Sequence, residues 1–379
     1  MKNIKEFNYK ILVESPGRIN LIGEHIDYNG GNVLPAAIDK KIFLYFKKSL
    51  ENSTCKVTSI HYNESITFEL NKENKKINSD WKNYINGVVY YLKRLRGSQL
   101  DGFECVIDSN LPVGSGISSS SALVCGLIKG LNDLFELKIS NHEMINISQK
   151  VEHNFIGVKG GVMDQFAIFF GEKDKIILLN CNSLKLEMIN SKLSPYKFLL
   201  LNTNVNHTLS SSDYNNRVNE CKSALKKAKN IDKRLTCLAN ASEGFIINNE
   251  SLFTKNEFKR ALYVSQENKR VLKSTKLIKA LNFVEFGKLM YNSHEGLKNL
   301  YEVSCKELDF LVDHSKKYNY VLGSRMMGGG FGGCTINLIK EDYIKSYIKI
   351  VSEKYLNKFQ KKLTPIGISI ENGINTIKK

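Results

Sequence analysis

The chain contains 379 residues, of which 42% are hydrophobic and 10% aromatic, so it is long enough and apolar enough to fold into two domains. No apolar run reaches the roughly 18 residues of a membrane helix and charges interrupt the N-terminus, so we expect a cytoplasmic protein without signal peptide or membrane partner. The net charge of +17 comes mainly from dispersed lysines, so we attribute it to composition or to anionic substrates; specific nucleic-acid binding remains the less favoured alternative.

The first half of the chain mixes predicted strands and helices. The strands are predicted at Ile11–Glu14, which Ser15-Pro16-Gly17 is expected to end, and at Ile42–Lys47, Cys55–Ser59 and Phe103–Ile107. Apolar residues at helical spacing predict a helix from about Ser118 to Phe135. A second helix is predicted over Asn141–Phe155, with Asn141 as its N-cap.

Helical patterns dominate the second half, after strands predicted at Ile176–Asn180 and Phe198–Asn202. The predicted helices are Asp213–Lys229, Phe258–Ser265, Leu277–Ala280, Phe283–Tyr291 and Ser304–Tyr318, and a strand is predicted at Cys334–Ile339. This order predicts an α+β fold with two lobes, residues 1–190 and 191–379. Eight cysteines are scattered without a C-x-x-C pair, so we expect free thiols rather than a zinc site or disulfides.

The segment Leu111–Leu123 has the composition of a phosphate-binding loop. Gly114 and Gly116 permit close backbone approach, and four serines follow at the predicted start of an amphipathic helix. The N-terminus of a helix offers unpaired N–H groups and a positive dipole end, both suited to phosphate. The Gly-Lys-Ser/Thr sequence of a Walker loop is absent, and a simple strand-to-helix turn with serine caps is the alternative.

The segment Ser15–Gly31 carries a dense set of polar side chains just after the first predicted strand. A buried polyhydroxylated ligand needs such a set, because each hydroxyl requires a donor or an acceptor. A solvated loop is the alternative. The polar residues are Arg18, Asn20, Glu24, His25, Asp27 and Asn29.

Two further segments complete the candidate site. Glu152 and Asp164 lie on either side of a Gly-Gly pair, and two carboxylates near a phosphate loop suit a metal ligand and a base; a surface Glu and a helix-capping Asp are the alternatives. Met326–Cys334 contains five glycines in nine residues, which predicts a backbone that passes close to a ligand or another motif.

In this order, the four segments resemble the galactokinase family, whose superfamily also contains homoserine, mevalonate and phosphomevalonate kinases. The resemblance spans roughly residues 15 to 335. It is carried by Gly23–Tyr28, Pro112–Ser120, Gly328–Gly333 and Tyr301–Asp309. It implies a two-lobed α+β kinase fold with the active site between the lobes.

The resemblance also implies the role of each site residue. Arg18 and Asp164 would flank the reacting hydroxyl, and both would contact the substrate. The residues implied to hold the sugar are Glu24, His25, Asp27, Gly161 and Tyr214. Those implied to wrap the ATP phosphates are Gly114, Ser115, Gly116, Ser118, Ser119 and Ser120. Ser120 and Glu152 match the Mg²⁺-binding serine and glutamate.

The implied reaction is phosphoryl transfer from ATP to the C1 hydroxyl of α-galactose, with Mg²⁺ as cofactor. Asp164 would accept the hydroxyl proton or only orient the hydroxyl. Departures from the family pattern are mild: Ser115 stands where Gly or Ala is commoner, Gly160 replaces a frequent cysteine, and Ser121-Ala122 replaces Ala-Ser or Ala-Ala. We expect a monomer. The alternatives are a kinase for N-acetylgalactosamine and a sensor that binds galactose without turnover.

Overall fold

The computed structural model describes residues 7–51, 53–72, 81–112, 114–205 and 210–379. The strands in these ranges are β1 Ile11–Asn20, β2 Asn32–Val33, β3 Pro35–Lys48, β4 Thr54–Ser59, β5 Glu64–Glu69, β6 Phe103–Ser109, β7 Lys175–Asn180, β8 Lys185–Asn190, β9 Tyr196–Asn202, β10 Val321–Met327, β11 Cys334–Lys340, β12 Thr364–Gly367 and β13 Asn375–Lys378.

The α-helices in the same ranges are α1 Lys82–Arg96, α2 Ser119–Leu134, α3 Asn141–Val151, α4 Met163–Phe170, α5 Ser210–Ile231, α6 Glu243–Asn248, α7 Lys255–Lys279, α8 Phe283–Gly296, α9 Lys306–Ser315 and α10 Ile344–Phe359. A π-helical turn, Glu152–Ile156, follows α3, and another, Leu297–Tyr301, follows α8. π-Helical turns are rare in proteins, and those that do occur often lie at functional sites.

The six-stranded sheet has the order β13-β1-β3-β6-β4-β5, in which only β4 and β6 pair in parallel. The prediction that Ser15-Pro16-Gly17 ends the first strand is wrong. A register shift between Pro16 and Arg18 accommodates the proline, which has no N–H to donate, and β1 continues to Asn20. This extension keeps Arg18 within β1, where it pairs with Ala37 of β3 and its backbone N–H donates to the Ile117 carbonyl at 3.1 Å.

Helix α2 packs across β1 and β3, and its glycines permit a close approach. A Cβ on Gly126 would lie 2.5 Å from Leu44, and one on Gly130 would lie 2.1 Å from Phe46. The following helix begins one residue earlier than predicted: Ser140 is the N-cap of α3, not Asn141, because its hydroxyl accepts the Glu143 N–H in a capping box.

The second half of the chain contains a four-stranded antiparallel sheet, β10-β11-β9-β12. A separate apolar core lies between this sheet and α9 and α10; it includes Leu199, Leu311, Tyr347 and Tyr355. The segments predicted at 258–265 and 277–280 belong to one helix, α7. Strands β2, β7 and β8 form a third sheet.

The last strand, β13, returns from the C-terminal half and pairs with β1. A division of the chain at residue 190 stays a prediction. All eight cysteines lie in the described ranges, and each is a free thiol, as expected. Among the helices that the structure describes, none has the length and apolar character needed to cross a membrane.

Candidate active site

A polar cavity of about 340 Å³ lies where β1, α2, α4 and the glycine-rich turn after β10 meet. Nine residues that the resemblance implies line it: Arg18, Glu24, His25, Asp27, Ser120, Glu152, Gly161, Asp164 and Tyr214. Gly328, Gly329, Gly330 and Phe331 close one side. The four sequence motifs therefore come together around one space, as predicted.

Arg18 and Asp164 form a two-pronged ion pair inside this cavity. Arg18 Nε donates to Asp164 Oδ1 at 2.7 Å, and its Nη2 donates to Oδ2 at 3.1 Å. The third nitrogen, Nη1, donates to the Gly116 carbonyl at 2.7 Å. Burial alone would lower the pKa of Arg18, but Asp164 and Glu24 raise it above its usual value, so the guanidinium stays charged.

Serine hydroxyls join the two carboxylates that the sequence predicted near the phosphate loop. The Ser118 hydroxyl donates to Asp164 Oδ2, while Ser121 donates to Glu152 Oε1 at 2.6 Å and lies 3.5 Å from Asp164 Oδ2. Gln165 Nε2 donates to Glu152 Oε2 at 3.0 Å. Burial and the negative charge of Asp164 raise the pKa of Glu152 to about 7, although the hydrogen bonds from Ser121 and Gln165 oppose this shift.

Asp27 packs against the backbone of Gly161. A Cβ at residue 161 would lie 2.3 Å from Asp27 Oδ2, so only glycine leaves room for this carboxylate. Burial, and then the charge of Asp164, raise the pKa of Asp27 to about 7.

Glu24 is held by a buried arginine that the sequence did not single out. Arg325, on β10, has no solvent-exposed surface; its Nη2 donates to Glu24 Oε1 at 3.2 Å, and the Gly328 N–H donates to the same oxygen at 2.9 Å. Arg325 also donates to the carbonyls of Asn20 and Leu21 at the end of β1. It therefore connects the two halves of the chain directly behind the cavity.

The predicted phosphate loop packs against the glycine-rich turn. A Cβ on Gly328 would lie 3.0 Å from the Gly116 carbonyl oxygen, which confirms the prediction that this glycine run passes close to another motif. Ser118 precedes α2 with a left-handed backbone (φ 62°), and its side chain makes no capping bond to the helix. The Ser118 hydroxyl therefore caps none of the first N–H groups of α2.

The other loop residues have different surroundings. Ser115 is 1% exposed, and its hydroxyl donates to the Pro112 carbonyl at 2.6 Å, so it faces the protein. Gly114 and Gly116 both adopt positive φ, as their glycine character predicts. Their roles in phosphate binding, and that of Ser119, stay predictions.

A second, apolar cavity of about 460 Å³ adjoins the polar one, and sequence reasoning did not predict it. Its lining includes Ile42, Tyr62, Trp81, Ile107, Leu111, Ser119, Leu123 and Phe155. Tyr62 and Trp81 are stacked, with ring centroids 6.0 Å apart and planes 16° from parallel. Tyr84, Ser120 and Ile156 line both cavities, so Ser120 lies at their junction.

The site residues that the sequence analysis missed differ in how far the sequence alone could have identified them. Tyr28 and Tyr301 contact His25 and lie inside segments that carried the resemblance, so proximity to those motifs was a usable signal. Ser121 was noted only as a departure from the family pattern. Arg325 and Trp81 carry no local signal, because their role depends on tertiary contacts.

Three family models match the sequence. The galactokinase galactose-binding signature matches residues 4–48, the N-terminal domain of GHMP kinases matches residues 83–172, and the C-terminal GHMP kinase model matches residues 274–356. Together they cover the segment around Arg18, the phosphate loop with Glu152 and Asp164, and the glycine-rich turn.

The sequences of individual relatives align with almost the whole chain. The galactokinase of Thermosipho africanus is 36% identical and aligns over 97% of this chain and 99% of its own length. That of Fusobacterium nucleatum is 39% identical over 94% of each. The crystal structure of Lactococcus lactis galactokinase complexed with galactose has a TM-score of 0.92 at 37% identity, covering 97% of this chain and 95% of that one. A mevalonate kinase structure shares the fold at 24% identity and a TM-score of 0.67. The chain belongs to the galactokinase family of GHMP kinases.

Proposed function

We propose that this chain transfers the terminal phosphoryl group of ATP to the C1 hydroxyl of α-D-galactose, giving galactose 1-phosphate and ADP. This is the entry step of galactose catabolism. The strongest support is the Arg18–Asp164 ion pair, which lies in the polar cavity next to the N-terminus of α2. The relatives named galactokinase, and the galactose in the Lactococcus structure, support the choice of sugar.

The sugar would occupy the polar cavity. Glu24 Oε2 and the Asp27 carboxylate would accept hydrogen bonds from sugar hydroxyls, since Glu24 Oε1 is already used by Arg325 and Gly328. Tyr214 offers a phenol and a ring face, and burial keeps its pKa well above the usual value, so it binds as the neutral phenol. These groups are fixed before the sugar arrives, which limits the entropy lost on binding.

The nucleotide would extend from α2 into the apolar cavity. Its phosphates would lie at the first turn of this 16-residue helix, where N–H groups and the helix dipole favour anions. The base would enter the space beside the stacked Tyr62 and Trp81, because aromatic faces attract the planar face of a base. The phosphate chain would then pass Ser120, at the junction of the two cavities.

The donors near that junction fit a magnesium ion. Mg²⁺ prefers oxygen ligands and usually binds one or two carboxylates, with phosphates and waters completing its shell. Glu152 and Ser120 supply such oxygens, and a cation would offset the cost of burying the Glu152 carboxylate. Within the described residues, no group of three or more His, Cys, Asp or Glu side chains forms an all-protein metal cage. Bound Mg²⁺ would neutralise charge on the phosphate oxygens.

The chain's own residues would then position the reacting groups. Asp164 Oδ2 already faces Arg18, Ser118 and Ser121, whereas among the described residues Oδ1 accepts a hydrogen bond only from Arg18 Nε. Oδ1 would therefore accept the hydrogen bond of the C1 hydroxyl. Arg18 would hold that carboxylate in place and stabilise negative charge on the transferred phosphoryl group. Positioning and charge stabilisation account for most of the catalysis in phosphoryl transfer.

We place this reaction in the cytoplasm, carried out by a monomer with ATP and galactose as its substrates and without a nucleic-acid or membrane partner. A coupled assay of ADP release across monosaccharides tests the proposal. Galactose should be the best substrate, and glucose, which differs only at C4, should be poorer by about fivefold or more, because an inverted hydroxyl leaves a buried acceptor unpaired. Equal kcat/KM for glucose would contradict the proposal. A preference for N-acetylgalactosamine, or binding of galactose without ADP release, would favour the two alternatives.

A further inference from the structure

His25 occupies a constrained position at the wall of the polar cavity. Its backbone is left-handed (φ 62°), a conformation that costs energy for a residue with a side chain, and its side chain is almost fully buried. The Asn29 side-chain amide donates to the His25 carbonyl at 2.8 Å and fixes this turn. The ring lies against Tyr214 and Tyr301, with centroid distances of 5.3 and 4.9 Å.

Both ring nitrogens of His25 have protein partners. Nε2 lies 3.2 Å from the Gly329 carbonyl oxygen, and Nδ1 lies 2.8 Å from the Tyr28 hydroxyl. The contacts continue beyond Tyr28: its hydroxyl is 2.8 Å from that of Tyr301, which is 3.1 Å from Cys221 Sγ. These groups form a chain of contacts from the glycine-rich turn to a buried thiol.

The donor and the acceptor of each hydrogen bond can be assigned by starting from the Gly329 carbonyl at one end of this chain. A carbonyl only accepts, so Nε2 carries a proton. In a neutral imidazole Nδ1 is then an acceptor, and Tyr28 must donate to it. The single Tyr28 proton is thereby used, so its oxygen accepts from Tyr301. By the same reasoning, the Tyr301 oxygen accepts from the Cys221 thiol.

The imidazole is neutral because of its surroundings. Burial, opposed by the hydrogen bond to Gly329 and aided by the positive charge of Arg217, lowers the pKa of His25 to about 3. Tyr28 and Tyr301 also stay protonated, since burial raises their pKa values well above the usual one. The titratable and charged groups around the ring are Tyr28, Tyr214, Arg217 and Tyr301. Those that line the polar cavity with it are Arg18, Glu24, Asp27, Tyr84, Glu152, Asp164 and Tyr214.

We propose that Tyr28 is a positioning residue that fixes His25 as the Nε2–H tautomer, so that His25 presents only a donor to the sugar. A hydroxyl that meets Nε2 must therefore offer its oxygen and direct its own proton to a carboxylate such as Glu24 or Asp27. Of the two hydrogen bonds to the ring, the one between Nε2 and the Gly329 carbonyl is the longer. A sugar oxygen would therefore share or replace this hydrogen bond. This inference rests on the proposed function for the identity of the ligand, but the tautomer itself does not.

Nitrogen NMR of the ligand-free chain with ¹⁵N-labelled histidine tests the tautomer directly. The chain has seven histidines, and loss of one signal set in His25→Gln assigns His25. The wild type should show a protonated Nε2, coupled to both ring carbon protons, and an unprotonated Nδ1, with no titration between pH 6 and pH 8. A protonated Nδ1, or a ring that titrates in this range, would overturn the proposal.

Two matched phenylalanine variants test the chain. In Tyr28→Phe, Nδ1 loses its donor, so its resonance should move toward that of an acceptor without a hydrogen bond, and KM for galactose should rise by about two- to tenfold. Tyr301→Phe leaves the Tyr28 proton in place and should shift Nδ1 far less, with KM within about twofold of wild type. An unchanged Nδ1 resonance in Tyr28→Phe would contradict the proposal. Because these spectra need no sugar, a protein with the predicted tautomer that fails to phosphorylate galactose would refute only the proposed function.

Discussion

The polar and apolar cavities lie side by side but are built in different ways. The polar cavity takes its lining from short motifs in which charged residues and glycines are adjacent in sequence, such as Gly23–Tyr28 and Gly328–Phe331. The apolar cavity takes Ile42, Tyr62, Ile107 and Leu123 from separate elements. Recognition of hydroxyls and phosphates demands particular polar atoms, whereas a base can be held by any suitable set of apolar faces. A substitution in one cavity should therefore change the KM of the ligand proposed for that cavity and have little effect on the KM of the other ligand.

The largest effect should come from the carboxylate between the two ligands. Asp164→Asn cannot form the ion pair with Arg18 or accept a proton, so kcat should fall by about 10²-fold or more. Calorimetry should show much smaller changes in galactose and ATP binding. The control is Asp313→Asn, a mostly exposed carboxylate outside both cavities, which should keep wild-type turnover. Turnover near wild type in Asp164→Asn would remove this residue from the mechanism.

The polar cavity should be disrupted selectively by a single methyl group. In Gly161→Ala the new Cβ would collide with Asp27 Oδ2 and displace this carboxylate from the sugar. Loss of a hydrogen bond to a charged group costs about 1–3 kcal/mol, so KM for galactose should rise by roughly 5- to 150-fold. KM for ATP should change by less than about twofold. Gly244→Ala is the matched control, because a Cβ there meets no atom within 4 Å. A larger effect on ATP than on galactose would break the division between the cavities.

The proposed role of Mg²⁺ should depend on Glu152. In Glu152→Gln the amide is a poorer ligand for a hard cation, so the Mg²⁺ concentration for half-maximal activity should rise by at least about tenfold. Galactose binding without nucleotide, measured by calorimetry, should persist. An unchanged Mg²⁺ dependence would show that Glu152 has no role in holding the metal.

Nucleotide binding should weaken when an aromatic ring is removed from the apolar cavity. Tyr62→Ala removes the partner of Trp81, and stacking on a base is worth about 1–3 kcal/mol, so KM for ATP should rise by about fivefold or more. KM for galactose should be unchanged. Tyr343→Ala is a fair comparison, since Tyr343 is similarly exposed, stacks on Tyr320 and lines neither cavity. Equal effects of the two substitutions would argue against a nucleotide beside Tyr62.

The smallest effect concerns stability. Because the pKa of Asp27 is raised from its usual 3.8 to about 7 in the folded chain, its protonated form stabilises the fold below pH 4, and this contribution is lost as pH rises toward 7. Ligand-free wild type should thus lose thermal stability between pH 5 and pH 8, and Asp27→Asn should lose less. Tm measured across this range by circular dichroism tests the sign. A steeper loss in Asp27→Asn would contradict the shifted pKa.

The sequence was informative wherever one residue type was required at one position. Helix α2, the convergence of the four motifs and the close approach of Gly328 to the phosphate loop all followed from local pattern. The continuation of β1 past Pro16 did not, because a bulge that absorbs a proline depends on the partner strand β3. Likewise, Ser140 rather than Asn141 caps α3 because Glu143 completes a capping box with it.

The remaining gaps concern contacts between distant segments. Arg325 supports Glu24 across about three hundred residues of sequence separation, and neither residue signals the other. Ser121 could be read only as a departure from the family pattern, although it connects Glu152 with Asp164. The apolar cavity could not be inferred, since its residues look like ordinary core positions until the fold brings them together.

The most direct test of the proposed function is to determine which hydroxyl of galactose receives the phosphoryl group. Wild-type chain, galactose, ATP and Mg²⁺ should be followed by ³¹P and ¹H NMR until ADP accumulates. We predict one sugar phosphate whose phosphorus couples to the anomeric proton of α-galactose, because Asp164 and Arg18 lie beside the site proposed for C1. Phosphorylation at another hydroxyl, or ADP release without a sugar phosphate, would contradict the proposed arrangement of sugar and nucleotide in the two cavities.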